Sequence, residues 1–226
     1  MPRMLDLLAA AVAPDRCLHC RAAARLGAPL CDACRRALPW LGTDGCLRCG
    51  LPRACLRRRC PARGAAFSGA WAPLAYEGPA RALALAAKEH AARRVAPWLA
   101  AAMTARAPAA LLAGTEAVVP VPPDPARLRR RGEDHAGLLG AHVARAVGLP
   151  CLPLLARARS APAQHAQDRA GRRRLAAPDV LAPPPATVLL VDDVHTTGAT
   201  LGAAAGALRA AGARRVVALT ALRTLR

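Results

Sequence analysis

The densest chemistry in the sequence is one continuous string, Val188-Leu189-Leu190-Val191-Asp192-Asp193-Val194-His195-Thr196-Thr197-Gly198-Ala199-Thr200-Leu201. Its four leading apolar residues read as a buried strand. Two adjacent carboxylates stand at the carboxyl end of that strand, and a short loop of Thr, Gly and Ala then opens a helix. Backbone amides and hydroxyls at a helix N-terminus make an anion cradle, and Gly198 lets the backbone approach the anion closely. Asp192 and Asp193 can accept hydrogen bonds from neighbouring hydroxyls, or bind Mg²⁺ directly or through water. An anion cradle beside paired carboxylates suits a phosphorylated sugar. An ordinary strand-to-helix turn with two solvated acids would also carry adjacent aspartates, so the case rests on the string as a whole.

A second constellation lies at the other end of the chain. Eight of the nine cysteines fall within residues 17–60, as Cys17-x-x-Cys20, Cys31-x-x-Cys34, Cys46-x-x-Cys49, and then Cys55 and Cys60. A C-x-x-C knuckle lets two sulfurs converge on one tetrahedral metal at about 2.3 Å. Disulfides are the alternative for such a count, but three knuckles in an intracellular chain favour zinc. Sequential pairing gives one site of Cys17, Cys20, Cys31 and Cys34 and another of Cys46, Cys49, Cys55 and Cys60, with an interleaved arrangement as the competing assignment. His19, inside the first knuckle, reads as a loop residue. Residues 1–64 hold too few large apolar side chains for a core of their own, so bound metal must supply much of their folding free energy. Cys151 stands alone and reads as a small buried hydrophobe.

Elements must be found that position these groups. Residues 67–76 alternate large and small side chains and read as a strand or hairpin. Helices are expected from Pro79 to His90, from about 94 to 106, from His135 to Val147 with Leu138, Leu139, Val143 and Val147 inward, and from about 200 to 211. Short apolar strands are expected at 117–121, 187–191 and 215–220, whereas residues 160–186 show no clear element. Strands alternating with helices argue a parallel, doubly wound sheet. Ligands in such sheets sit at the carboxyl ends of the strands.

Composition narrows the function classes. The formal charge is +19, and all but one of the 33 basic residues are arginine. Such a balance points to a polyanionic partner, although arginine is spread along the whole chain with alanine, proline and glycine. Aromatic residues make up 2%, too few for a base-stacking platform, so binding to single-stranded nucleic acid would be electrostatic and salt-sensitive. The most apolar stretch, around residues 95–114, is interrupted by Pro97, Arg106 and Pro108, and no run offers the roughly 20 clean apolar residues of a membrane span. The first residues, with Leu5, Leu8 and Val12 on one face, read as a short amphipathic helix rather than a signal peptide. A cytoplasmic protein is expected.

The string from Val188 to Leu201 resembles the 5-phosphoribosyl-1-pyrophosphate (PRPP) motif of type I phosphoribosyltransferases. Val119-Pro120-Val121-Pro122, followed by Arg127-Leu128-Arg129-Arg130-Arg131-Gly132, resembles a block of the ComF family. The eight upstream cysteines, Tyr76-Glu77-Gly78, Lys88, and Gln164 with Arg169 extend that resemblance over nearly the whole chain. Two departures stand out. The family usually shows Phe-Asn-Gln where this chain has Glu133-Asp134-His135, and the segment around Lys88 is unusually rich in alanine.

The resemblance implies an α/β type I phosphoribosyltransferase fold, a five-stranded parallel sheet flanked by helices, over residues 65–226, and a double zinc ribbon over residues 1–64. It implies PRPP with Mg²⁺ as ligands and two structural Zn²⁺ ions. Asp192 and Asp193 would hold the ribose hydroxyls and carry the catalytic role, while Thr196, Thr197, Gly198, Ala199 and Thr200 would cradle the 5′-phosphate. Lys88 and Arg131 would contact the pyrophosphate. ComF-like proteins are linked to uptake of single-stranded DNA in natural transformation, so single-stranded DNA and DNA-uptake proteins are expected partners. Three functions share these residues: a phosphoribosyltransferase enzyme with an unidentified acceptor, a PRPP- or nucleotide-sensing module without turnover, and a basic zinc-ribbon DNA binder. One residue bears on the choice. In purine-salvage enzymes of type I an Asp at the fourth place after the first acid acts as base, and here that place holds Thr196, whose hydroxyl has no useful basicity.

Overall fold

The computed structural model describes residues 15–52, 55, 60–89, 91–123, 128–129, 134–157 and 176–225. The expected N-terminal amphipathic helix, Arg131, Gln164 and Arg169 lie outside the described residues.

A parallel sheet forms the centre. Its strands are β1 (Gly69–Trp71), β2 (Leu74–Ala75), β3 (Ala117–Pro120), β6 (Thr187–His195) and β7 (Arg215–Arg223). The spatial order is β1-β7-β6-β3, and β2 also pairs with β7. β1 and β2 are one edge strand rather than a hairpin. Both run parallel to β7 in the same register, Gly69 opposite Val217 and Leu74 opposite Leu222, interrupted at Ala72-Pro73. Pro73 has no amide hydrogen to give the ladder. On the far side, Cys151 bridges Val118 in parallel, with Val118 N donating to Pro150 O and Leu152 N donating to Val118 O. That segment makes a fifth position in the sheet.

The helices are α1 (Asp32–Arg36), α2 (Gly78–Glu89), α3 (Ala92–Arg106), α4 (Ala109–Leu112), α5 (His135–Val147) and α6 (Ala199–Ala210). Alternate residues of the central strands feed two apolar clusters on opposite faces, as the two-residue strand period demands. Val118, Leu189, Val191, Val217 and Leu219 meet α2, α3 and α5 on one face. Val119, Val188, Leu190, Val216 and Ala218 meet α6 on the other. The inward face of α5 is smaller than its leucines suggest. Leu139 and Val143 are buried together with Ala136, Gly140 and Ala144, while Leu138 and Val147 are only partly covered. A Cβ on Gly140 would stand 3.1 Å from the Pro120 side chain, so the missing side chain lets α5 sit directly on β3.

Strand lengths depart from expectation. β6 runs on from Val191 to His195, and β7 from Thr220 to Arg223, because the ladder continues through Asp192 opposite Thr220 and His195 opposite Arg223. The two aspartates are therefore strand residues, although polar. Between Leu155 and Val180 a two-stranded antiparallel pair, β4 (Leu155–Ala156) with β5 (Asp179–Val180), forms where the sequence shows no element. At two residues each, neither strand is long enough to show a period.

The cysteine-rich segment shares both cores. Cys17, Leu30, Cys34 and Leu38 lie in the first cluster with Trp71, Leu74 and Leu83. Cys49, Cys60 and Ala62 lie in the second with Phe67, Leu201 and Ala204. Leu41 N donates to Pro73 O, Ala75 N to Pro39 O and Trp71 Nε1 to Gly42 O, so residues 39–42 cover the sheet edge at β2. Capping an edge in this way removes unpaired backbone groups. No helix among the described residues is long and apolar enough to cross a membrane.

Candidate functional site

The chain leaves β3 through α5 toward the sheet edge at residues 150–152, and leaves β6 through α6 toward β7 in the opposite direction. The gap between the carboxyl ends of β3 and β6 is therefore a topological switch point, the place where doubly wound sheets open a ligand crevice. A cavity of about 200 Å³ lies there. Val121, Pro122 and Pro123 close one side, Asp192, Asp193, Val194, Thr196 and Thr200 form the floor and the far wall, and Lys88 and His135 reach in from α2 and α5.

Asp193 is the hub. Its Oδ2 lies 2.6 Å from Lys88 Nζ and 3.6 Å from His135 Nε2. Burial opposes its charge, but the nearby His135 imidazole and the Lys88 charge outweigh that and hold its carboxyl below the usual range. Asp192 is shifted the other way. Burial and the neighbouring Asp193 charge push it well above the usual carboxylate range. Its Oδ1 accepts the Asp193 amide at 2.8 Å. The two acids are thus shifted in opposite directions, as adjacent carboxylates are. Lys88 is the only lysine in the chain.

The loop after β6 is built for sharp reversal. Gly198 has φ +80°, and a Cβ there would stand 2.8 Å from His195 Nε2. His195 lies beneath the loop at 2% exposure, edge-on to Phe67 with ring centroids 6.0 Å apart. Burial, with the Arg223 charge beside it, lowers its pKa to about 4. It does not line the cavity. Thr197 Oγ accepts the Ala199 amide at 3.3 Å.

Among the residues expected from sequence, Lys88, Asp192, Asp193, Thr196 and Thr200 line one cavity. Thr197, Gly198 and Ala199 form the turn behind it, and Arg131 lies outside the described residues. His135 is the member that sequence reasoning missed. In the sequence it is the first residue of an expected helix and part of a departure from a family pattern, and the available signal is its place at the start of a helix that Asp134 caps, with Asp134 Oδ1 accepting Gly137 N at 2.9 Å. Arg157 also lines the cavity, and nothing in an arginine-rich sequence could have singled it out. Asp192 and Asp193 bring carboxylate oxygens to the cavity, the class of donor that a divalent cation such as Mg²⁺ takes.

Both cysteine groups close as the sequential pairing expects. The sulfurs of Cys17, Cys20, Cys31 and Cys34 lie within 4.8 Å of one another, as do those of Cys46, Cys49, Cys55 and Cys60. The edge of a zinc tetrathiolate tetrahedron is about 3.8 Å for Zn–S bonds of about 2.3 Å. The observed Cys20–Cys31, Cys46–Cys60 and Cys49–Cys55 separations are 3.6, 4.0 and 3.5 Å. Four sulfurs converging on one point is a metal geometry, whereas disulfides would join them two by two. Burial raises the Cys17 and Cys46 thiols, but backbone amides of their knuckles more than reverse this, bringing them to about 6 and about 7. Both clusters fit Zn²⁺, and His19 belongs to neither.

Comparison of the chain with known protein families and with curated proteins finds no match.

Proposed function

We propose that this chain is a ComF-type, phosphoribosyltransferase-like protein that binds PRPP with Mg²⁺ at the β3–β6 crevice. One observation carries the reading: the paired acids, Thr196 and Thr200 of a single string line the same cavity, at the switch point of a parallel sheet. Mg²⁺ would neutralise the pyrophosphate of the ligand. Asp192 and Asp193 would receive the ribose hydroxyls, and the turn at the start of α6 would take the 5′-phosphate. Lys88, which lines the cavity beside Asp193, would contact the pyrophosphate.

Turnover is a narrower matter. Thr196 stands where a base would be needed for an oxopurine acceptor. The neighbouring His195 offers no substitute, because it is buried against Phe67 and lies outside the cavity. The reading is therefore competent PRPP binding with little oxopurine transfer, and an already nucleophilic acceptor such as an amine or ammonia if transfer occurs.

Calorimetric titration with PRPP, with and without Mg²⁺, tests the binding. Magnesium-dependent binding is expected, with Lys88 protected from an amine-reactive label; absence of binding would refute the reading. Pyrophosphate release with hypoxanthine, guanine, ammonia or no acceptor then separates an enzyme from a sensor. Rapid release with an oxopurine at neutral pH would show that the absent base does not matter.

A further inference from the structure

Arg223 ends β7 and is 3% exposed. No carboxylate among the described residues pairs with it. Its Nε donates to Cys49 O at 3.0 Å, and its Nη1 donates to His195 O at 2.9 Å and Thr196 O at 2.5 Å, with Thr224 O also at 2.7 Å. One buried guanidinium therefore joins the second cysteine cluster to the turn that forms the anion cradle.

The consequence follows from peptide geometry. In a trans peptide the C=O and the next N–H point in opposite directions. Drawing the His195 and Thr196 carbonyls toward Arg223 aims the Thr196 and Thr197 amides away from it, on the cradle side. The other end of the bridge is set by metal-ligand geometry. Cys49 O belongs to a knuckle in which Cys49 N and Gly50 N both donate to Cys46 O, at 3.2 and 2.8 Å. That knuckle is pressed on β1, where Ala70 N donates to Leu47 O at 2.9 Å. Charge supports the same link. A buried cation without a carboxylate needs a nearby negative group, and a zinc tetrathiolate carries a formal charge of −2.

We propose that Arg223 is a positioning residue that couples metal occupancy of the Cys46/Cys49/Cys55/Cys60 cluster to the anion-binding form of the 195–199 turn. The first cluster has no such bridge to the 195–199 turn among the described residues; it meets the sheet domain through apolar packing, through residues 39–42 at the β2 edge, and through Arg94, which pairs with Asp15 at 3.2 Å and donates to the Ala28 carbonyl. Loss of metal or oxidation of thiols at the second cluster should therefore disorganise the cradle, and loss at the first should not. Coupling of this kind is reciprocal, so an anion in the cradle should also favour retention of the second metal. The physiological meaning rests on the PRPP reading, but the coupling itself does not require it.

Hydrogen exchange of the full-length protein tests the coupling without any ligand. The amides of residues 194–201 are followed in wild type, Cys55→Ser, Cys20→Ser, Arg223→Gln and the Cys55→Ser/Arg223→Gln double variant, with zinc content measured on each sample. The expected result is exchange at least about tenfold faster in Cys55→Ser and in Arg223→Gln, no further increase in the double variant, and a change under about twofold in Cys20→Ser. Arg223→Gln should keep both metals. Equal effects of the two cysteine variants, or additive effects in the double variant, would overturn the proposal. If Arg223→Gln does not fold, the contrast between Cys55→Ser and Cys20→Ser decides by itself. A parallel PRPP titration keeps the questions apart, since wild type that fails to bind PRPP refutes the functional reading and leaves the exchange result intact.

Discussion

Replacing His195 by glutamine should flatten the dependence of folding stability on pH between about 7.5 and about 5. In the folded chain the imidazole is buried and its pKa is lowered to about 4, against about 6.5 in an unfolded chain. The unfolded state therefore binds more protons throughout that window, and stability is lost as the pH falls from about 6.5 toward about 4. A difference of about 2.5 pH units corresponds to about 3 kcal/mol in full, of which about 2 kcal/mol is expressed by pH 5. The assay is urea unfolding of zinc-loaded wild type and His195→Gln at matched pH values. Every other ionisable group is common to both proteins, so the difference between the two curves isolates His195. Wild type should lose about 2 kcal/mol more than the variant between pH 7.5 and pH 5. Parallel curves would refute the claim that a neutral imidazole is locked beneath the turn.

Elemental analysis should find close to two Zn²⁺ per chain, and Cys46→Ser should lose one of them. Because the cysteine clusters share their apolar neighbours with the sheet, metal removal should lower the Tm of the whole chain in a single transition. Asp193→Asn should weaken PRPP binding at least about tenfold, roughly 1.4 kcal/mol, whereas Thr196→Ala should cost only a few-fold in the same titration. Gly198→Ala should destabilise the fold by about 2 kcal/mol, since φ +80° and the 2.8 Å approach to His195 both oppose a side chain; a neutral result in urea unfolding would contradict the geometry of the turn. Single-stranded DNA should bind without sequence preference and release steeply as salt rises, as expected of a basic chain with few aromatics; a salt-insensitive complex would argue against an electrostatic site.

What the sequence determined alone is what short-range pattern can encode. The cysteine knuckles are legible because each is a local object, while the choice of sequential over interleaved grouping came from the convergence of the sulfurs in space. The start and end of α5 are legible in Asp134 and Gly148, which takes φ +71°. The strand, acid pair and glycine turn of residues 188–201 are legible because their order along the chain is their order in space. Tertiary structure decided the rest. Periodicity ends a strand where apolar residues end, so only the pairing of Asp192 with Thr220 and His195 with Arg223 could extend β6 and β7. Lys88 and His135 meet Asp193 because α2 and α5 pack on the same face of the sheet, a result of strand order and crossover direction rather than of any local motif. Arg223 is the extreme case. In a chain full of arginine nothing marks it, and its role arises from one register, which ends β7 between a cysteine knuckle and the turn that begins α6.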